Sequence, residues 1–368
     1  MRVPCVFAFQ PARAIPTSGV AGHFRAADAT IRSARILRPW SRQEPGKKQH
    51  ARKSPIDPRA RWVGDTVAAR KFTVVGLGEI LWDIFPEGKQ LGGAPANFAH
   101  ITNLLGDHGI VASRIGNDTP GKRAVDKLSR IGLDITCLQF DFALPTGTVQ
   151  VSVNKQGEPS YKIAEPVAWD HFEWTREWKA LARRADAVCF GSLAQRAPQS
   201  RATIQEFLNA MDKGSARVFD VNLRQAFYTP EIIAESLKVA DVVKLNQEEL
   251  RVVAEMVGIP HTGDRASAQR LRDDFQLELV CVTRGANGSI LCSEKECDLH
   301  PGFHVKVADM VGAGDAFTAG LVRHYLRKSP LAKMNDAANR LGAWVASQKG
   351  AMPTPGKRQL KKVHAAIA

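Results

Sequence analysis

The run Asp309-Met310-Val311-Gly312-Ala313-Gly314-Asp315-Ala316-Phe317 holds the residues of this chain best suited to chemistry. Gly312 and Gly314 stand just before an apolar stretch (Ala316, Phe317, Leu321, Val322, Tyr325) with helical spacing. A helix N-terminus presents unpaired backbone N–H groups and the positive end of the helix dipole. Glycine there lets an anion approach the backbone closely. Asp315 falls in the first turn, where a carboxylate is also an ordinary dipole partner and is expected to stay ionised. That plain role leaves the Gly-Ala-Gly before it, and the second acid at Asp309, without a reason. An anion hole beside a carboxylate is what phosphoryl transfer to an alcohol needs. The amides of Gly312, Ala313 and Gly314 would hold the phosphate while Asp315 takes the hydroxyl proton.

A second glycine run, Leu91-Gly92-Gly93-Ala94-Pro95-Ala96-Asn97-Phe98-Ala99, has a similar form. Pro95 suits a first helical turn, Phe98, Ile101 and Leu105 share one face, and Gly106 ends the helix. Gly92 and Gly93 permit close backbone approach, and Asn97 offers a donor and an acceptor beside the turn. Alone, such a run is more often a loop than a site. Polar residues also gather where strands should end. Asp220, Asn222 and Arg224 alternate, and would project the same way if the strand runs on that far. Asn246 and Glu249 follow Val242–Leu245, and Thr283-Arg284-Gly285-Ala286-Asn287-Gly288 follows Leu279–Val282. Each could be a cap or a turn; three together line a crevice.

What must position these residues is an alternation of short strands and helices that starts at Phe72. The spacing predicts strands over Phe72–Leu77, Ile110–Ile115, Ala187–Phe190, Arg217–Val221, Val242–Leu245, Leu279–Thr283 and Ser289–Cys292. Between them lie amphipathic stretches such as Ile204, Phe207, Leu208 and Met211. That pattern means an α/β fold, a mostly parallel sheet covered on both faces, with ligands at the C-terminal strand ends. One segment breaks it: Thr148–Val153 alternates, Asn154–Gly157 supplies a turn, and Ser160–Ile163 resumes. With the stretch around Leu81–Leu91, this hairpin would form a small projecting β-sheet. Trp169 and Phe172, just after it, either cover a ligand ring or pack in the core.

Taken in order, Gly-Glu-x-Leu-x-Asp (Gly78–Asp83), Gly-Gly-Ala-Pro-Ala-Asn, Asp-x-Asn-x-Arg, Asn-x-x-Glu, Thr-Arg-Gly-x-x-Gly and Gly-Ala-Gly-Asp resemble the ribokinase/PfkB family of carbohydrate kinases over about residues 72–355. The resemblance implies a Rossmann-like three-layer sandwich with a small β-sheet lid (segments near 81–91 and 147–163) in a kinase domain of residues 71–368. It implies ATP-dependent phosphorylation of a sugar hydroxyl, with Mg2+ and, in many members, K+. Asp315 then becomes the catalytic base and Gly312, Ala313 and Gly314 the anion hole. Asp83, Gly92, Gly93 and Asn97 match sugar contacts. Asn246 and Glu249 match the motif that organises magnesium and phosphate through water. Thr283, Gly285 and Gly288 match the nucleotide loop, and Asn339 matches a helix residue bordering the adenine. Asp309 resembles the acid near a monovalent-cation site. Met310 and Val311 depart from the usual Thr or Ser, which puts potassium dependence in doubt. The Gly-Glu start and the Asp-x-Asn-x-Arg motif look most like the fructokinase and 2-keto-3-deoxygluconate kinase branch. Asp83 favours a neutral polyol, fructose first, whereas Arg224 keeps an acidic sugar in play.

Other classes fit less well. No Gly-x-Gly-x-x-Gly follows the first strand and no Gly-x-x-x-x-Gly-Lys-Ser/Thr occurs, which excludes a dinucleotide fingerprint and a P-loop. A sugar- or nucleotide-binding regulator on the same fold would be marked by loss of the base or the anion hole, and both are intact. Net charge is +14 over 368 residues, yet residues 1–70 carry 14 Lys and Arg against 4 Asp and Glu. The remainder carries 37 against 33, so no nucleic-acid-binding face is expected. The basic, proline-rich segment 1–70 reads as a disordered extension: a transit peptide, a poor secretory signal or an artefact of gene-start assignment. No apolar run is long enough to span a bilayer, and a cytoplasmic location is expected. The six cysteines, with Cys292 and Cys297 the only close pair, read as free thiols. The exposed lid hairpin could pair two copies into a homodimer.

Overall fold

Residues 70–86, 88–153 and 159–367 are the part of the chain that the computed structural model describes. In chain order its strands are β1 (Thr73–Leu77), β2 (Leu81–Phe85), β3 (Gly88–Gly92), β4 (His108–Gly116), β5 (Leu138–Asp141), β6 (Gly147–Val153), β7 (Pro159–Ile163), β8 (Ala187–Phe190), β9 (Ala216–Asp220), β10 (Val242–Asn246), β11 (Leu279–Thr283), β12 (Ser289–Ser293) and β13 (Cys297–His300). Its helices are α1 (Ala94–Leu104), α2 (Thr119–Arg130), α3 (Arg176–Arg184), α4 (Pro198–Ala210), α5 (Pro230–Val239), α6 (Gln247–Met256), α7 (Asp264–Phe275), α8 (Ala313–Leu326), α9 (Leu331–Ala346) and α10 (Lys357–Ile367).

Nine strands form one sheet in the order β13-β12-β11-β10-β9-β8-β1-β4-β5. From β11 to β5 every pairing is parallel, and the β11–β12 and β12–β13 pairings are antiparallel. Side chains alternate between the two faces, as the strand period requires. Val75, Val188, Phe219 and Val243 pack with α3 to α7, while Val74, Cys189, Val218 and Val242 pack with α1, α8, α9 and α10. Phe207, Phe219 and Leu341 are at most 1% exposed, and each such side chain contributes about 1.5–3 kcal/mol by leaving water. Three layers result, as the alternation of strands and helices predicts. Among the described residues, no helix is long and apolar enough to cross a membrane.

All seven predicted strands are present; β5 and β13, both short edge strands, were not foreseen. The projecting sheet has the order β3-β2-β6-β7, with β2 and β6 parallel and the outer pairs antiparallel. The expected turn at 154–157 lies outside the described residues, and so does the expected extension of residues 1–70 except its last residue, Arg70. Trp169 and Phe172 are fully buried, Trp169 under the Arg196 guanidinium and Phe172 against Trp178, so they are core and cover no ring. The cysteine expectation fails at one pair. Cys292 and Cys297 stand directly opposite on β12 and β13, Cα atoms 4.2 Å apart, and form a disulfide. Cys137, Cys189 and Cys281 are free and buried, and Cys5 lies outside the described residues.

Candidate active site

Two helix N-termini meet at the C-terminal edge of the large sheet. Gly312 caps α8 in the left-handed region (φ 79°), where a Cβ would lie 2.5 Å from that of Ala351. Gly93 caps α1 with φ 114°, where a Cβ would lie 2.4 Å from the Glu79 carbonyl oxygen. Both positions need glycine on conformation and on space. Asp315 sits in the first turn of α8 and Asn97 in the first turn of α1, and Asn97 Nδ2 donates to Asp315 Oδ2 at 2.8 Å. The two glycine motifs are thus one site.

The floor beneath them comes from neighbouring strands. Asp220 ends β9 in register with Lys244 of β10, whose Nζ donates to its two carboxylate oxygens at 3.0 and 3.2 Å. Thr318 Oγ1, one turn along α8 from Asp315, donates to Asp220 Oδ2 at 2.9 Å. A Cβ on Gly314 would lie 3.2 Å from Lys244 Nζ, so a buried ammonium lies under the Gly-Ala-Gly turn. Glu79, Asp220, Asn222 and Asp315 line one crevice together with Cys189, Gly191 and Pro95.

Burial pushes the Asp315 carboxyl up to about 6, with Asp220 adding to the rise and Asn97, Lys244 and Arg224 opposing it. The helix N-terminus therefore does not keep Asp315 at an ordinary carboxylate value. It is still mostly ionised at neutral pH, close to where a general base works best. Glu79 is pushed up to about 7 by burial, against its own backbone N–H and Arg224. Asp83, on β2 of the small sheet, is raised to about 6 by burial against Arg224. A Cβ on Gly92 would lie 2.6 Å from Asp83 Oδ2, so Gly92 leaves the room this carboxylate occupies.

The expected alternation of Asp220, Asn222 and Arg224 does not hold. Strand β9 stops at Asp220 and Asn222 is left-handed (φ 44°), because Glu249 Oε1 accepts from Leu223 N and pins the turn. Asp220 and Asn222 nonetheless face the crevice. Glu249 Oε2 accepts from Asn246 N while Asn246 Oδ1 accepts from Glu249 N, a capping box that starts α6. With both oxygens engaged and the residue 4% exposed, Glu249 fits no direct metal coordination, only contact through water. Asp309 is similarly employed, accepting from Val311 N and Gly350 N and so bracing the turn before Gly312.

On the other side, Asn246, Thr283 and Ser289 follow one another across β10, β11 and β12 in register. Gly285 (φ 58°) and Gly288 (φ 78°) form the tight turn between β11 and β12. Asn339 of α9 is buried beside them, its Nδ2 spent on Ser289 Oγ and on Asn335. Sequence reasoning missed Glu79, Lys244 and Thr318. The signal for Lys244 was a lone cation inside the apolar strand Val-Val-Lys-Leu; Thr318 gave none.

The model of the pfkB family carbohydrate kinases matches residues 72–357. Fructokinase of Escherichia coli is 32% identical over 301 residues, which cover 77% of this chain and 96% of that protein. The crystal structure of an uncharacterized sugar kinase of Pyrococcus horikoshii in complex with ATP is similar with a TM-score of 0.68 at 28% identity, covering 81% of this chain and 100% of the other. Fructokinase of Vibrio cholerae, in its fructose-, ADP- and calcium-bound form, is similar with a TM-score of 0.67 at 26% identity over 81% and 99%.

Proposed function

The chain belongs to the pfkB family of carbohydrate kinases, and from that premise we propose that it transfers a phosphoryl group from ATP to fructose, giving fructose 6-phosphate, with Asp315 as general base. The observation that carries this reading is the Asn97–Asp315 contact, which sets a raised carboxylate beside the Gly312–Gly314 helix N-terminus. The crevice acids and Asp83 orient the sugar, and Asn246, Thr283 and the turn from Gly285 to Gly288 border the nucleotide. Magnesium, held with the nucleotide phosphates and reached from Glu249 through water, would neutralise charge there.

Fructose is favoured over an acidic sugar by Arg224. Its charge already acts on Glu79, Asp83, Glu249 and Asp315, so a sugar carboxylate would compete with four acids for one guanidinium. The test is ATP consumption over fructose, ribose, 2-keto-3-deoxygluconate, adenosine and fructose phosphates. Fructose should show the highest kcat/KM; a higher value for the keto-acid would replace this reading.

Two further results are expected. Gly92→Ala drives a methyl group against Asp83, so the sugar KM should rise roughly tenfold while kcat and the ATP KM stay within about twofold. An unchanged sugar KM would remove Asp83 from the sugar site. Deleting residues 1–70, which precede the family match at 72, should leave kcat within a few-fold. Total loss of activity in a folded truncation would show that the extension takes part.

A further inference from the structure

One end of the Asn97 amide holds the base, and the other end is open. It is 3% exposed, and its Nδ2 reaches Asp315 Oδ2 at 2.8 Å between two helices 218 positions apart in sequence. Its other end, Oδ1, is buried and accepts nothing among the described residues. A buried carbonyl oxygen without a donor is uncommon and requires a reason. An N–H bond to a carboxylate favours the ionised form and fixes the plane of the group.

Resting on the reading of Asp315 as general base, we propose that Asn97 is the positioning residue for that base. It orients the carboxylate through Oδ2 so that Oδ1 faces the transferred proton. The open Asn97 Oδ1 is left for the sugar contact that the family resemblance already implies, so the same planar amide that holds the base also registers it against the substrate.

The charges around Asp315 come from several elements. Asp220 of β9, Glu79 after β1 and the Cys189 thiol of β8 lie on the acidic side; Lys244 of β10 and Arg224 after β9 lie on the basic side. None of these changes when Asn97 is replaced. Loss of its N–H therefore leaves Asp315 easier to protonate, and the acid limb of turnover should move to higher pH.

The experiment is kcat against pH, from pH 5 to 9, at saturating ATP and saturating best acceptor, in wild type, Asn97→Asp and Asn97→Ala. The first variant keeps the volume and places a like-charged group on the base; the second removes the amide altogether. Thermal unfolding identifies the folded variants. The limb should rise by roughly one unit in Asn97→Ala and further in Asn97→Asp, with kcat recovering at alkaline pH. A residue that only binds sugar or only packs would raise KM or lower stability and leave the limb in place. An unmoved limb in either folded variant overturns the proposal while the base reading stands. Full activity of Asp315→Asn overturns both.

Discussion

Asp315→Asn should lower kcat by roughly 10²–10⁴-fold, the usual scale for a positioned general base. An alcohol proton is far too weakly acidic to leave unaided at neutral pH, so the acceptor hydroxyl needs an ionised group within hydrogen-bond reach. Asn has the size of Asp and keeps a polar contact with Asn97, but it cannot accept the proton. The KM values for sugar and ATP should change little, because Asp83 and the turn between β11 and β12 are untouched. Stability should hold or rise slightly, since the replaced carboxylate is pushed up by burial and by Asp220. Steady-state assays beside calorimetric binding of sugar and an unreactive ATP analogue would check this. Turnover within a few-fold of wild type would mean that another group accepts the proton.

Lys244→Met should produce the largest loss of stability at this site. Lys244 and Asp220 are 8% and 5% exposed and paired at 3.0 Å. Burial alone would make the ammonium easier to deprotonate, but Asp220, Glu249 and Asp315 hold it protonated well above the usual lysine range. Removing the cation leaves Asp220 buried with Thr318 Oγ1 as its one remaining side-chain donor among the described residues. Breaking a buried pair in this way costs about 3–5 kcal/mol, whereas replacing both partners together often costs much less. Lys244→Met should therefore unfold at markedly lower denaturant, and adding Asp220→Asn should restore a good part of the loss. A single variant within about 1 kcal/mol of wild type would show that Asp220 finds another donor. A Cβ at Gly314 would lie 3.2 Å from this ammonium, so the Lys244 side chain would have to give by a few tenths of an ångström.

The parts of the fold that the sequence makes legible are those with strong periodicity. Strands β8 and β11 fall on their expected residues, because each carries four consecutive apolar positions. Strands β5 and β13 are Leu-Gln-Phe-Asp and Cys-Asp-Leu-His, edge segments with polar residues and exposed Phe140 and Leu299, which carry little apolar signal. The two glycine motifs announced the site, since a left-handed cap with no room for a Cβ leaves a mark in the residue type itself. What the sequence could not show was pairwise geometry. Glu249 reads as an acid that organises magnesium through water, and its second role, holding two backbone N–H groups, shows only in the folded chain. Asn222 reads as part of a strand until Glu249 is seen to turn the chain. Cys292 and Cys297 read as thiols because their register depends on β13, which was not foreseen. Lys244 is a charge in an apolar strand, and its partner 24 residues earlier appears only when β9 and β10 lie side by side.

The most direct measurement of the central claim is single-turnover transfer from ATP to fructose across pH 5 to 9, in wild type and in Asp315→Asn. With its carboxyl raised to about 6, Asp315 loses its basic form as the pH falls through that value. The wild-type rate should hold above pH 7 and drop about tenfold per unit well below 6. The residual rate of Asp315→Asn should be flat over the same range, which separates Asp315 from Glu79 and Asp83, the other raised carboxyls. A break near pH 6 that persists in Asp315→Asn, or a wild-type rate that ignores pH, would contradict the assignment of Asp315 as the base.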